Sequence, residues 1–205
     1  MRLTARAQAV VLALIGLVVS AGAVIMATSH LSGIRPPPLA VLGAVPDFSL
    51  IDQRGRTCSS TSLAGSVWIA DFIFTRCAGQ CPLMSARMAS LDQALARQGG
   101  LRFVSFSVDP AHDDPAALAA YAGHYGARDG RWEFLTGSPQ AVRTLVQDGF
   151  KLGLSDDGTP QEPITHSVHF VLIDRALRIR GYYDATEDEA MRRLQADARS
   201  LLREP

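Results

Sequence analysis

The chain has 205 residues, 47% of them hydrophobic, with 20 basic and 20 acidic side chains and three cysteines. That length holds one domain with a sizeable core plus additional segments, and three cysteines are too few for a disulfide-rich scaffold. Beyond residue 40 the balance is 17 basic against 20 acidic residues, with no basic patch or aromatic-basic interleaving, so nucleic acid is excluded as a partner.

Arg2 and Arg6 precede Ala7 to Thr28, a stretch of 22 residues without charge. At 1.5 Å per residue a helix of that length reaches about 33 Å, enough to cross a bilayer. A cleaved signal peptide has a shorter apolar region, so an uncleaved anchor over residues 1–28 is the expectation. The two arginines orient it with the N-terminus inside, which puts the rest of the chain in a bacterial periplasm behind a single inner-membrane pass. Residues 29–45, with Pro36-Pro37-Pro38, read as an extended tether, and the folded domain is expected over residues 46–205.

Asp47-Phe-Ser-Leu-Ile-Asp52 alternates like a strand, and Asp52-Gln-Arg-Gly55 turns it back into a second one. Ser60 to Gly65 is a loop or a single helical turn. Val67 to Phe74 is apolar and aromatic except for Asp71, the pattern of a buried strand. Pro82 suits the first position of a helix, whose stripe is Met84, Met88, Leu91 and Leu95. Gly99-Gly100 ends it, and Leu101 to Val108 is a second buried strand.

Asp114-Pro115 starts a helix with Leu118, Tyr121, Ala122 and Tyr125 on one face. Trp132 to Leu135 is a short strand, and Ser138-Pro139 opens another helix. Ser155 to Thr165 is a polar loop. Ser167–Asp174 and Leu177–Asp184 form a hairpin, and Thr186-Glu-Asp-Glu189 has the spacing of a capping box for the last helix. Strands alternating with helices, closed by a hairpin and a helix, argue an α/β domain with a mixed sheet.

The chemistry centres on Phe72-Ile-Phe-Thr-Arg-Cys77-Ala-Gly-Gln-Cys81-Pro-Leu-Met84. Two cysteines four residues apart in a strand-to-helix turn can present both sulfurs on one face, near enough for a disulfide or for one metal ion. A helix N-terminus favours the thiolate that both chemistries need. Of the five histidines, His166 lies where a polar loop enters a strand, a usual place for functional groups. His169, three residues on, faces the opposite side of that strand. Two thiolates and one imidazole would make a soft site suited to copper. Zinc is the competitor, but no fourth ligand has an obvious position. A redox dithiol remains open, although three residues separate the cysteines where thioredoxin-type motifs have two. Asp109, Asp113 and Asp114 cluster near the end of the second buried strand, where turn-holding or partner docking are the alternatives. Met84 and Met88 read as core, and Cys58 as a small residue near a strand.

Taken in order, Asp71-Phe-Ile-Phe-Thr-x-Cys77-x-x-x-Cys81-Pro82-x-Met84, Ser107-Val-Asp109-Pro-x-x-Asp113, Tyr121, Phe134-Leu-Thr-Gly137 and His166-Ser resemble the Sco/SenC family of membrane-tethered copper proteins. The resemblance runs from about Pro46 to Tyr183. It implies a thioredoxin-like mixed sheet flanked by helices and a copper ion held by Cys77, Cys81 and His166. It further implies delivery of copper to, or reduction of the thiols of, the copper A site of a cytochrome c oxidase subunit, or another copper-accepting protein. A periplasmic thiol reductant would then be needed to keep the pair reduced. The alternative activity is a periplasmic thiol-disulfide oxidoreductase working through the redox pair Cys77 and Cys81. Ala78 stands where many members carry proline after the first cysteine, which leaves a more pliable turn.

Overall fold

The computed structural model describes residues 38–158 and 164–204. The anchor expected over residues 1–28 and most of the tether fall outside those residues. Among the described residues no helix is long and apolar enough to cross a membrane.

The apolar run Val67–Ile73 forms β4, buried at every position. It pairs in parallel with β5 (Leu101–Ser107), which pairs in parallel with β6 (Trp132–Thr136). On one side this parallel core is extended by the antiparallel pair β2 (Ser49–Asp52) and β3 (Thr57–Ser59), through β2 on β6. On the other side β9 (His169–Ile173) runs antiparallel to β4 and β10 (Arg178–Asp184) antiparallel to β9. The last edge is β1 (Gly43–Ala44), giving the order β1-β10-β9-β4-β5-β6-β2-β3. β1 brings the end of the stretch read as tether into the sheet. The buried Arg180 guanidinium holds the entering chain, donating to the Leu39 and Ala40 carbonyls at 2.5 and 3.2 Å.

Helices pack on both faces of the sheet. A short α1 (Ser60–Leu63) is closed by a capping box from Ser59 and Ser62. α2 (Gln80–Ala94) buries Met84, Met88 and Leu91 as the spacing requires, and both methionines are core residues. α3 (Pro115–His124) is capped by Asp114, and α4 (Pro139–Thr144) by Ser138. α4 runs into a π-helical turn, Leu145–Gly149, that the periodicity does not reveal. The closing α5 (Asp188–Arg203) buries Ala190, Leu194, Ala198 and Leu201.

Side chains of alternate β4 residues fall on opposite faces. Trp68 and Phe72 join Phe106 and Phe150 in an aromatic cluster, with centroids 5.1–6.5 Å apart. Asp71 belongs to the other face, beside its register partner Ser105. There Trp132 donates to Ser105 at 2.9 Å and Ser85 of α2 bonds Tyr121 of α3 at 2.9 Å. The site is thus built at the C-terminal ends of β4 and β5, the edge of an α/β sheet where ligands usually bind.

Two local expectations differ from what forms. Pro82 is the third residue of α2, which starts at Gln80, and not the first. The position costs nothing because first-turn N–H groups have no partner within the helix. Thr186 does not cap α5: its hydroxyl donates to Asp184 at 2.6 Å, and the helix starts after Glu187 with no side-chain cap.

Candidate metal centre

Cys77, Cys81 and His166 come together, with one donor atom from each within 4.8 Å of the others. Three ligands on one metal with bonds of about 2.3 Å lie about 4 Å apart or less, so side-chain rotation would bring the three donor atoms onto a single ion. Both sulfurs are free thiols. Cys77 is half-buried in the turn after β4, and Cys81 is buried in the first turn of α2.

Asp113 holds that turn. Its fully buried carboxylate accepts from the Thr75 backbone N–H at 3.1 Å, the Thr75 hydroxyl at 2.6 Å and the Ser107 hydroxyl at 2.6 Å. The acidic loop after β5 is therefore pinned to the residues just before Cys77. Asp109 does a different job at the rim. Its carboxylate accepts from Arg76 at 2.7 Å and lies 2.8 Å from His112 Nδ1. Asp114 is the N-cap of α3 and stands outside the cluster.

The imidazole arrives on a separate piece of structure. His166 is not the start of the long hairpin strand. It sits on β8 (Thr165–His166), which pairs with β7 (Leu154–Ser155) in a sheet of its own, and Ser167-Val168 separates it from β9. Its ring packs edge-on against Phe74, 5.8 Å between centroids. Nδ1 lies 3.0 Å from the Ser167 carbonyl, which can only accept, so Nδ1 carries the proton. Nε2, the other ring nitrogen, lies 3.3 Å from Cys81 Sγ, and with Nδ1 carrying the proton it is the nitrogen that would bind a metal. His169 instead bonds the Ser167 hydroxyl at 2.9 Å and stands outside the cluster.

The two thiols are differentiated. Cys77 is pulled well below the usual thiol range, first by the Cys81 thiol donating to it and then by His166 and the backbone N–H groups of Gly79 and Cys81, against the cost of burial. Cys81 is pushed up by its hydrogen bond to Cys77 and by burial. Such a pair reacts outward through Cys77 and holds its second proton on Cys81. Two cysteine sulfurs and one imidazole nitrogen form a soft donor set that fits a copper-type ion better than a hard cation.

Two residues near the centre escaped the sequence reading. His112 joins Asp109 and Arg76 at the rim, and its signal was the three-residue spacing from Asp109. Asp71 was visible as the one charge in an apolar strand and as the first residue of the cysteine motif, with no role assigned to it. Cys58 is buried in β3 beside Ser62, where burial pushes its thiol up.

The SCO1/SenC profile matches residues 41–202. The chain is 32% identical to the SCO1 protein homolog of Bacillus subtilis over 158 residues, 76% of this chain and 81% of that protein. It is 27% identical to Protein SenC of Rhodobacter capsulatus over 140 residues, 67% and 62% of the two chains. Among solved structures, BsSco, described as a member of the Sco family of cytochrome c oxidase assembly proteins with a disulfide switch, superimposes with a TM-score of 0.73 at 31% identity, covering 82% of this chain and 99% of that one. A SCO1/SenC family lipoprotein from Bacillus anthracis gives 0.72 at 29% identity, covering 78% and 95%. The fold is also that of Bradyrhizobium japonicum ScoI with copper bound, with a TM-score of 0.63 at 23% identity, covering 75% and 98%. These matches confirm the thioredoxin-like α/β architecture, and the chain belongs to the SCO1/SenC family.

Proposed function

We propose that this protein binds one copper ion through Cys77, Cys81 and His166 and passes it to a copper-accepting protein, the copper A subunit of a cytochrome c oxidase being the favoured recipient. The observation that carries the reading is the convergence of two thiols and a correctly protonated imidazole from two distant parts of the chain. Membership of a family whose relatives are described as oxidase assembly proteins supports the recipient. Copper exchanged by stepwise ligand replacement suits a half-buried Cys77: an incoming thiolate takes the ion as Cys77 lets go, while Cys81 and His166 hold it until last. Residues 1–28 would tether the domain to a bacterial inner membrane facing the periplasm, and a thiol reductant there would return an oxidised pair to the binding form.

A second reading, a thiol-disulfide oxidoreductase, is favoured by the differentiated thiols. It needs Cys77 and Cys81 but not His166. The full chain in detergent, reduced and kept anaerobic, is titrated with copper against a chelating competitor, alongside its His166→Ala variant. A copper chaperone loses about 100-fold or more in affinity without the imidazole while its dithiol remains reactive, each ligand of a protein metal site contributing about 3 kcal/mol. Equal copper affinity in the two proteins overturns the chaperone reading and leaves the oxidoreductase.

A further inference from the structure

Three side chains at the rim of the centre compete for one another. Arg76 directly precedes Cys77, and its Nη2 donates to Asp109 at 2.7 Å and lies 2.9 Å from His112 Nδ1. The same Nδ1 lies 2.8 Å from the other oxygen of Asp109. The ring cannot serve both neighbours. With a proton on Nδ1 it donates to Asp109 and turns an N–H towards a guanidinium that can only donate. With Nδ1 bare it accepts from Arg76 and faces the carboxylate with a lone pair. One of the three contacts is therefore unfavourable for as long as the three stay together.

The conflict ends when Arg76 turns outward, because His112 then donates to Asp109 and the carboxylate keeps a partner. Asp109 cannot follow the guanidinium. Its side chain is 8% exposed, its N–H donates to Ser107 Oγ at 3.1 Å, and its carbonyl accepts from the N–H groups of His112 and Asp113 at 3.0 Å. Arg76 has the opposite character. Its side chain is 50% exposed, and its Nε and Nη1 make no hydrogen bond among the described residues. A guanidinium with free donors matches a carboxylate through two parallel bonds. The first turn of α2, on the other side of Cys77, contains no acidic residue, so nothing there opposes an incoming negative charge.

We propose that Arg76 is the docking residue for the protein that meets Cys77, pairing with an acidic side chain that flanks the partner's own cysteine while His112 takes over Asp109. Adjacency in the chain sets the requirement: a group that reaches Arg76 while its sulfur reaches Cys77 must lie close to that sulfur. The inference deepens the proposed function. It rests on Cys77 being the sulfur that meets the partner, and it is the same whether copper or a disulfide is exchanged there.

Two small disulfides stand in for the partner: 5,5′-dithiobis(2-nitrobenzoate), with a carboxylate on each ring, and the neutral 4,4′-dithiodipyridine. Cys77 is the one cysteine of the three that is not buried. Its sulfur attacks the probe, the probe's S–S bond breaks as a bond to Cys77 forms, and the electron pair leaves on the released aryl sulfur, followed by absorbance in stopped flow. The reading is the ratio of the anionic to the neutral rate for the reduced, metal-free full chain at low salt. In Arg76→Gln the ratio should fall about tenfold, the effect of one charge lost a few ångströms away in wet surroundings. Arg76→Lys should keep most of it, and about 0.5 M salt should draw the parent towards Arg76→Gln. In His112→Ala, where Asp109 has no second donor, the ratio should fall about threefold, the net worth of one hydrogen bond. An unchanged ratio in Arg76→Gln, including one in which both rates fall together, overturns the docking role. An unchanged ratio in His112→Ala overturns the hand-over of Asp109. No metal is used, so failure here leaves the copper reading standing, and failure of the copper titration leaves this test intact.

Discussion

The turn that carries Cys77 and Cys81 grows directly out of β4, a strand buried at every residue, and is fastened to the neighbouring loop by three groups donating to Asp113. His166 is held quite differently. It rides on a two-residue strand outside the main sheet, and its hairpin is secured by a few contacts: Gln147 to the Leu154 carbonyl at 2.7 Å, Ser167 to the Gly153 carbonyl at 3.2 Å and an exposed Arg143–Asp156 ion pair at 2.6 Å. The contrast teaches that the sulfurs belong to the core and the imidazole to its periphery. Damage on the sulfur side should spread into folding, and damage on the imidazole side should stay with the ligand.

The most severe break is Cys81→Ser, which removes a buried thiol of the proposed copper site and half of the proposed redox pair together. Copper affinity should fall by about 3–4 kcal/mol, roughly 300-fold or more, and disulfide formation should vanish, as read by competition titration and thiol counting. Asp113→Ala tests whether the turn is truly part of the core. It leaves the Thr75 N–H and two hydroxyls without their acceptor, so stability should drop by about 3 kcal/mol, lowering the melting temperature by about 6–12 °C. A melt within a degree of the parent would separate the turn from the core.

Asp71 sharpens the same comparison through pH. Its carboxyl titrates near 7 when folded and near 3.8 when unfolded. Between those values the folded chain keeps a proton that the unfolded chain has released. Stability is therefore lost as pH rises through that window and levels off above about 7. Chemical denaturation from pH 4 to 8 should show a loss of about 2–4 kcal/mol that is absent in Asp71→Asn. The smallest effect belongs to the periphery. Arg143→Ala should change global stability by no more than about 0.5 kcal/mol, as expected of an exposed ion pair, while amide exchange in the Leu154–Ser155 and Thr165–His166 strands quickens. Loss of global stability on that substitution would contradict the division drawn here.

That division also explains what could be read without coordinates. β4 and β5 are continuous apolar runs, and the α2 stripe at Met84, Met88 and Leu91 repeats with helical spacing, so both buried layers were legible. The cysteine turn followed from the boundary between them. Pairings of two residues have no period to detect, which hid β1, β7 and β8. For the same reason His166 was drawn onto the hairpin strand, when Ser167-Val168 separates it from β9. Its partnership with the cysteines came from family resemblance and not from spacing. Thr186 shows the limit of a cap motif: the spacing was right, but the hydroxyl found Asp184 first. Asp71 stood in plain view, yet a single charge in a strand does not reveal that its carboxylate oxygens will find no hydrogen-bond partner among the described residues, because that depends on how the neighbouring elements pack around it.

The acceptor that fixes the His166 ring is a main-chain carbonyl, that of Ser167. Side chains drift through mutation, but no replacement at position 167 can delete a peptide oxygen. Loss of the correct ring form would take a rerouting of the chain itself, so this part of the centre is protected against point changes in a way that neither sulfur is.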